Sequence, residues 1–200
     1  MRALYLGRFQ IFHNGHLDIV KSIASEKDID TVVLGIGSAQ YSRHNPNTLI
    51  PTILNPFTWE ERKRMLESSL EGELEKPYEI VTLEDYHICP MWADNVIRTA
   101  KPGVVYTNTQ REVVLFEDRH IPTRRFQVKD KFHAQIIREM IANNNNWEKY
   151  VPKGTAKFVR EQNIGQILKE LYEAHLDELK HIYQLQDKMG IAKYNPEEVY

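Results

Sequence analysis

In Ala3-Leu4-Tyr5-Leu6-Gly7-Arg8-Phe9-Gln10-Ile11-Phe12-His13-Asn14-Gly15-His16-Leu17 three signals meet. Ala3–Leu6 is a short apolar run, as expected of a strand covered on both faces. Leu17, Ile19, Val20 and Ile23 follow at the spacing of one helix face. Between them lies a turn holding Gly7, Arg8, His13, Gly15 and His16. The segment predicts strand, turn, helix, with two histidines three apart where the helix opens. A helix start presents unpaired N–H groups and a partial positive charge, which suits a phosphate. Gly15 lets backbone approach a ligand closely. Arg8 can bridge two phosphate oxygens through paired donors. His13 and His16 add imidazole donors, so the turn is suited to a polyphosphate. His-x-x-His could also begin a zinc site, but no cysteine or acidic pair stands nearby to complete four ligands. No metal site is therefore expected in the protein itself.

Outward from this unit, strand and helix signals alternate. Strands are expected at Ala3–Leu6, Thr31–Gly37, Tyr78–Leu83, Gly103–Thr107 and Arg124–Val128. Helices are expected at Gly15–Ser25, Thr58–Leu70, Met91–Thr99, Gln110–Phe116 and Phe132–Ala142. Thr58 has Glu61 three residues on, the spacing of a capping box. Such alternation predicts an α/β fold, a Rossmann-like parallel sheet with helices on both faces. Ligands on such sheets sit at the carboxyl ends of the strands. The glycine-containing turns after Leu6 and Ile36 fall there. Tyr41–Pro56, rich in proline and asparagine, is expected to be a long loop over the site. Ala156–Met189 is expected to be helical, with Ile164, Ile167, Leu168, Leu171, Leu179 and Ile182 near helical spacing.

Bulk properties narrow the function. The 200 residues suit one α/β domain with a helical appendage. A net charge of −2 gives no electrostatic case for nucleic acid. The single cysteine, Cys89, excludes an internal disulfide and fits a reducing compartment. No apolar stretch is long enough to cross a membrane and no signal-peptide pattern is present. A cytoplasmic protein is the expectation.

The motif GRFQ-x-FH-x-GH at Gly7–His16 resembles the signature of the HxGH nucleotidyltransferase superfamily. In detail the chain is similar to archaeal-type nicotinamide mononucleotide (NMN) adenylyltransferases. Gly35-Ile36-Gly37-Ser38-Ala39-Gln40 matches next, then Asn55-Pro56-Phe57-Thr58 with Glu61-Arg62, then Trp92, then Trp147 with Val151-Pro152. The resemblance implies a nucleotidyltransferase domain over 1–155, leaving a helical extension at 156–189 and a tail at 190–200. It implies transfer of AMP from ATP, arriving with Mg²⁺, to NMN, giving NAD and pyrophosphate. It implies ATP contacts from Arg8, Phe9, Gln10, His13, His16 and Arg138, with His13, His16 and Arg138 catalytic. Gly37, Ser38 and Trp92 would hold the mononucleotide, Trp92 by stacking on the nicotinamide. A homo-oligomer is implied too, and the stripe from Ile164 to Ile182 is expected to be buried by self-association.

The chain departs from the family at three recognition points. Cys89 stands where an asparagine reads the carboxamide, Asn108-Thr109 where a Gly-Asn pair lies near adenine, and His133 and Gln135 where hydroxyl residues precede the arginine. Two other functions therefore stay open. One is the same chemistry on another phosphorylated acceptor, such as a flavin or pantetheine phosphate, or with CTP. The other is a non-catalytic nucleotide-binding sensor.

Overall fold

The computed structural model describes residues 1–46, 52–86, 88–128, 133–177, 180 and 184. The segment around Ala3–Leu17 forms strand β1 (Arg2–Gly7) and the start of helix α1 (Asn14–Ser25). Then come β2 (Thr31–Ile36), α2 (Trp59–Leu70), β3 (Tyr78–Thr82), α3 (Cys89–Ala100), β4 (Val104–Tyr106), α4 (Gln110–Glu117) and β5 (Thr123–Arg124). Three further helices follow, α5 (Ala134–Ala142), α6 (Lys153–Glu161) and α7 (Ile164–Ala174). The sheet is parallel throughout, in the order β3-β2-β1-β4-β5. Strand β1 is therefore central, and its end is flanked by the ends of β2 and β4.

The period of two along each strand feeds two cores. Ala3, Tyr5, Val32, Leu34, Val104 and Tyr106 face a large core shared with α1, α2, α5, α6 and α7. Leu4, Val33 and Val105 face a smaller one built with α3 and α4. Being apolar on both faces, the central strands read as continuous runs.

Thr58 caps α2 as its sequence predicts. Its hydroxyl accepts from the Glu61 N–H at 3.2 Å, and Glu61 accepts from the Thr58 N–H at 2.8 Å. Two expectations differ. The strand expected to reach Val128 pairs only over Thr123–Arg124, and Asn108 continues it by side-chain bonds to Phe126. The helical stretch from Ala156 is two helices, broken where Asn163 takes a left-handed φ of 52°. The division expected after residue 155 falls inside α6, where a Cβ on Gly154 would collide with the Ser68 carbonyl of α2.

The apolar stripe is buried within the chain along α7. Ile164 and Leu168 enter the large core, and Tyr172 packs with Ile53 and Leu171. That intramolecular seam removes the reason given for self-association over these residues. Leu179, Ile182 and the tail lie outside the described residues, as do 47–51 of the Tyr41–Pro56 loop. No helix among the described residues is long and apolar enough to cross a membrane.

Candidate active site at the carboxyl ends of the strands

The two histidines come together at the start of α1. His13 is the N-cap, and its backbone N–H donates to His16 Nδ1 at 3.3 Å. A neutral imidazole carries one proton. That bond places the His16 proton on Nε2, leaving it a donor there. The two rings stack at 3.7 Å, and Phe12 lies nearly parallel to His16 at 5.6 Å. Burial lowers both basicities. His13 is pushed down to about 4, with the His133 charge adding to the effect. His16 falls well below its usual value, through burial and then His13. Both rings are therefore neutral donors at pH 7, and no proton competes with an arriving cation or substrate.

Arginine supplies the charge. Arg8 is exposed at the strand end and donates to Asn55 Oδ1 at 3.2 Å. Arg138, on α5, is 2% exposed. Its guanidinium donates to the Gln10 carbonyl and, at 3.0 Å, to the Ile53 carbonyl. Surrounding protein and then the Arg138 charge pull Arg8 below its ordinary value. Neither arginine is ion-paired with a described carboxylate. Unsatisfied buried polar atoms gather here as well: His13 Nδ1, Asn55 Nδ2 and Arg138 Nε have no hydrogen-bond partner among the described residues. Buried polar atoms are normally satisfied, so such a cluster marks a place for a ligand. Like charges held together, with orphaned polar atoms around them, fit a polyanion.

Phe9 and Gln10 serve the frame through their side chains. The Phe9 ring is 1% exposed and meets His16 edge-on at 5.2 Å. Gln10 locks onto the Phe57 backbone, donating to its carbonyl at 3.1 Å and accepting from its N–H at 2.9 Å.

On the β2 side, the Gly37 N–H donates to the Gly7 carbonyl at 2.9 Å and brings the two turns together. Ser38, φ 50°, donates its hydroxyl to Asp85 at 2.5 Å. Gln40 clamps the backbone of Asp85 through its N–H and carbonyl. Asp85 is a site residue that the motifs did not single out. Its position just beyond the end of β3 was the available signal, since ligands gather at strand ends. Trp92 stands apart from the phosphate group: it sits on α3, half-buried, with its ring 5.9 Å from Phe116 of α4.

Beyond His16 lies a cavity of about 210 Å³ between α1 and the chain after β5, lined by Gly15, Asp18, Ser22, Tyr106, Phe126 and Gln127 among others. Asn108 fixes its outer wall. Its amide donates to the Phe126 carbonyl at 2.9 Å and accepts from the Phe126 N–H at 3.2 Å. The site thus has a cationic centre, a serine–aspartate side and a base-sized cavity.

Known proteins match this chain in sequence and in fold. A protein of Thermoplasma volcanium called nicotinamide-nucleotide adenylyltransferase is 39% identical over 163 residues, 80% of this chain and 86% of its own. One of Picrophilus torridus with the same name is 34% identical, over 87% of this chain and 99% of its own. The fold matches a bifunctional NMN adenylyltransferase/ADP ribose pyrophosphatase of Francisella tularensis, crystallised with AMP and a manganese ion, at a TM-score of 0.70 and 24% identity. This chain spans 57% of that longer protein and 98% of its own length is covered. The cytidylyltransferase-like family matches residues 4–190, and the chain belongs to that family.

Proposed function

We propose that this protein transfers AMP from ATP to NMN, giving NAD and pyrophosphate. The observation that supports this most directly is the pair of arginines, Arg8 and Arg138, that no described carboxylate pairs with, beside two neutral stacked histidines at a helix start. Relatives at 39% and 34% identity bear the name of that activity.

In this reading the adenine side of ATP enters the cavity against α1. The triphosphate lies over Arg8, His13, His16 and Arg138. The mononucleotide occupies the Ser38 side, with Trp92 toward its ring. A 5′-phosphate oxygen of NMN attacks the α-phosphorus in line. The bond to the oxygen bridging α and β breaks, and pyrophosphate leaves with the electron pair. Charge grows on that bridging oxygen, where the His16 Nε2–H is a preplaced donor. No residue is covalently modified, so the protein's share is positioning and charge stabilisation. Mg²⁺ arrives with ATP, held mainly by phosphate oxygens. No group of three His, Cys, Asp or Glu among the described residues could hold a metal by itself. A reducing, cytoplasmic setting suits this chemistry and the one free cysteine, Cys89. Assembly into a homo-oligomer would have to use surfaces other than the Ile164–Tyr172 seam.

The test is pyrophosphate release from ATP and Mg²⁺ with a panel of acceptors: NMN, its acid counterpart, flavin and pantetheine phosphates. NMN is expected to give the highest kcat/KM. Preference for another acceptor would keep the chemistry and change the substrate. ATP binding without turnover on any acceptor would leave a nucleotide sensor.

A further inference from the structure

Arg62 looks at first like part of a helix cap. It follows Glu61 of the capping box and lies on α2, away from the phosphate motif in sequence. In space it is 0% exposed and sits beneath both strand-end turns. Nη1 donates to the Arg8 carbonyl at 2.9 Å and to the Gly37 carbonyl at 2.7 Å. Nη2 donates to the Ser38 carbonyl at 3.1 Å, and Nε to the Thr58 carbonyl at 3.2 Å. A guanidinium has five N–H donors in a rigid fork. Four are used here, all on backbone carbonyls, and three of those belong to the two turns.

Those turns hold backbone strain. Phe9 and Ser38 both have φ of 50°, a left-handed conformation that side chains disfavour. Strain of this kind persists only where the surroundings over-determine it. The Arg8 carbonyl belongs to the peptide entering Phe9, and the Gly37 and Ser38 carbonyls belong to the peptides on either side of Ser38. One buried side chain therefore grips each strained peptide from below.

We propose that Arg62 is a positioning residue that sets the separation and orientation of the two substrate turns, holding the acceptor phosphate in line with the α-phosphorus of ATP. This rests on the proposed activity, because Arg8 serves the triphosphate and Ser38 the mononucleotide. Arg62 touches neither substrate and acts through the carbonyls. The compact, monodentate ammonium of lysine cannot reproduce the fork. Arg62 stays charged despite burial, which with the Arg8 charge pushes it down to about 10.

The test compares Arg62→Lys and Arg62→Gln with the wild type, using ATP, NMN and Mg²⁺. Binding of each nucleotide alone is measured by calorimetry, folded content by circular dichroism, and kcat is expressed per folded molecule. Each turn keeps its own ligand groups, so single-substrate affinities should stay within about 3-fold. The in-line arrangement needs both turns at once, so kcat should fall on the order of 10²-fold, as expected for a misplacement near 1 Å. Either variant folded and at wild-type kcat overturns the proposal. Loss of the fold in both assigns Arg62 to stability alone and also overturns it. Wild-type protein that turns over no acceptor is a different result: it defeats the proposed activity before Arg62 is at issue.

Discussion

Around His13 and His16 the side chains of Phe9, Gln10, Ile11, Phe12 and Arg138 are buried, and Gln10 and Arg138 are tied to distant parts of the chain. Around Trp92, by contrast, Ile88 and Met91 are 57% and 51% exposed and Cys89 is open to solvent. The far wall of the cavity is intermediate: Asn108 is exposed, yet both ends of its amide grip Phe126. The centre proposed to handle phosphate is thus built in advance, while the surfaces assigned in that proposal to the two bases rest on fewer contacts. Charge stabilisation demands fixed dipoles, because a donor that must reorganise during reaction loses its advantage. Recognition of a flat ring tolerates looser construction. The same contrast separates the residues that match the family motif from Cys89, Asn108 and Thr109, which all lie on the looser flanks.

The largest effect should come from the rigid centre. In the proposed reaction, replacing His16 by alanine removes the donor assigned to the bridging oxygen and should lower kcat by about 10²–10³-fold, with little change in ATP affinity. Single-turnover kinetics beside ATP titration checks this. Near-normal turnover would show that the centre is rigid for packing alone.

Next is the response of that centre to acid. His13 drops from 6.5 to about 4 on folding, and His16 also drops. The unfolded chain therefore binds more protons between about pH 6.5 and 4, and stability must fall as pH falls through that window. Above pH 7 the contribution is complete. At about 1.4 kcal/mol per unit, His13 alone accounts for up to about 3 kcal/mol. Thermal unfolding from pH 7 to 4.5 should show a decline in Tm, with a shallower slope in His13→Gln. A flat wild-type profile would mean that the histidines titrate like exposed ones.

The flanks should respond more mildly and one substrate at a time. Trp92→Ala should raise the KM for NMN roughly 10-fold and leave that for ATP nearly unchanged, since ring stacking is worth about 1–3 kcal/mol. Equal losses for both substrates would make Trp92 a member of the α3–α4 core, through Phe116. Asn108→Ala should do the reverse: about a 5-fold rise in the KM for ATP, none for NMN, for the loss of roughly 1 kcal/mol of wall-fixing hydrogen bonds. A rise confined to NMN would relocate the cavity to the other substrate.

Much of this was legible in the residues. The parallel sheet follows from alternating apolar runs and amphipathic stretches, and the Thr58–Glu61 cap from its spacing. The stretch from Gly7 to His16 marks the phosphate centre because glycine, arginine and paired histidines at a helix start have few purely structural uses together. Other features depend on chain folding over long separations. Nothing near Arg62 in sequence says that its fork would reach the Arg8, Gly37 and Ser38 carbonyls. Asp85 is one acidic residue among many until Ser38 and Gln40 select it. The break at Asn163 hides inside a helical pattern, because the apolar period continues on either side of it. The stripe on α7 announces that it must be covered, but a period cannot say by what.

The phosphate turn is also completed from far away. The Thr155 hydroxyl donates to the Phe12 carbonyl at 3.0 Å and pairs with Ser69 at 2.9 Å. Arg138 reaches the Gln10 carbonyl, and Asn14 donates to the Lys149 carbonyl at 2.9 Å. During synthesis the ribosome makes this turn well before the segments that support it, at a rate of roughly 5–20 residues per second. Its last supports emerge about 140 residues later, so on the order of ten seconds separate its translation from its completion. A nascent chain lacks this support until α6 is made, so a product truncated before Lys153 would carry every histidine of the motif without the Thr155 bond that braces their turn.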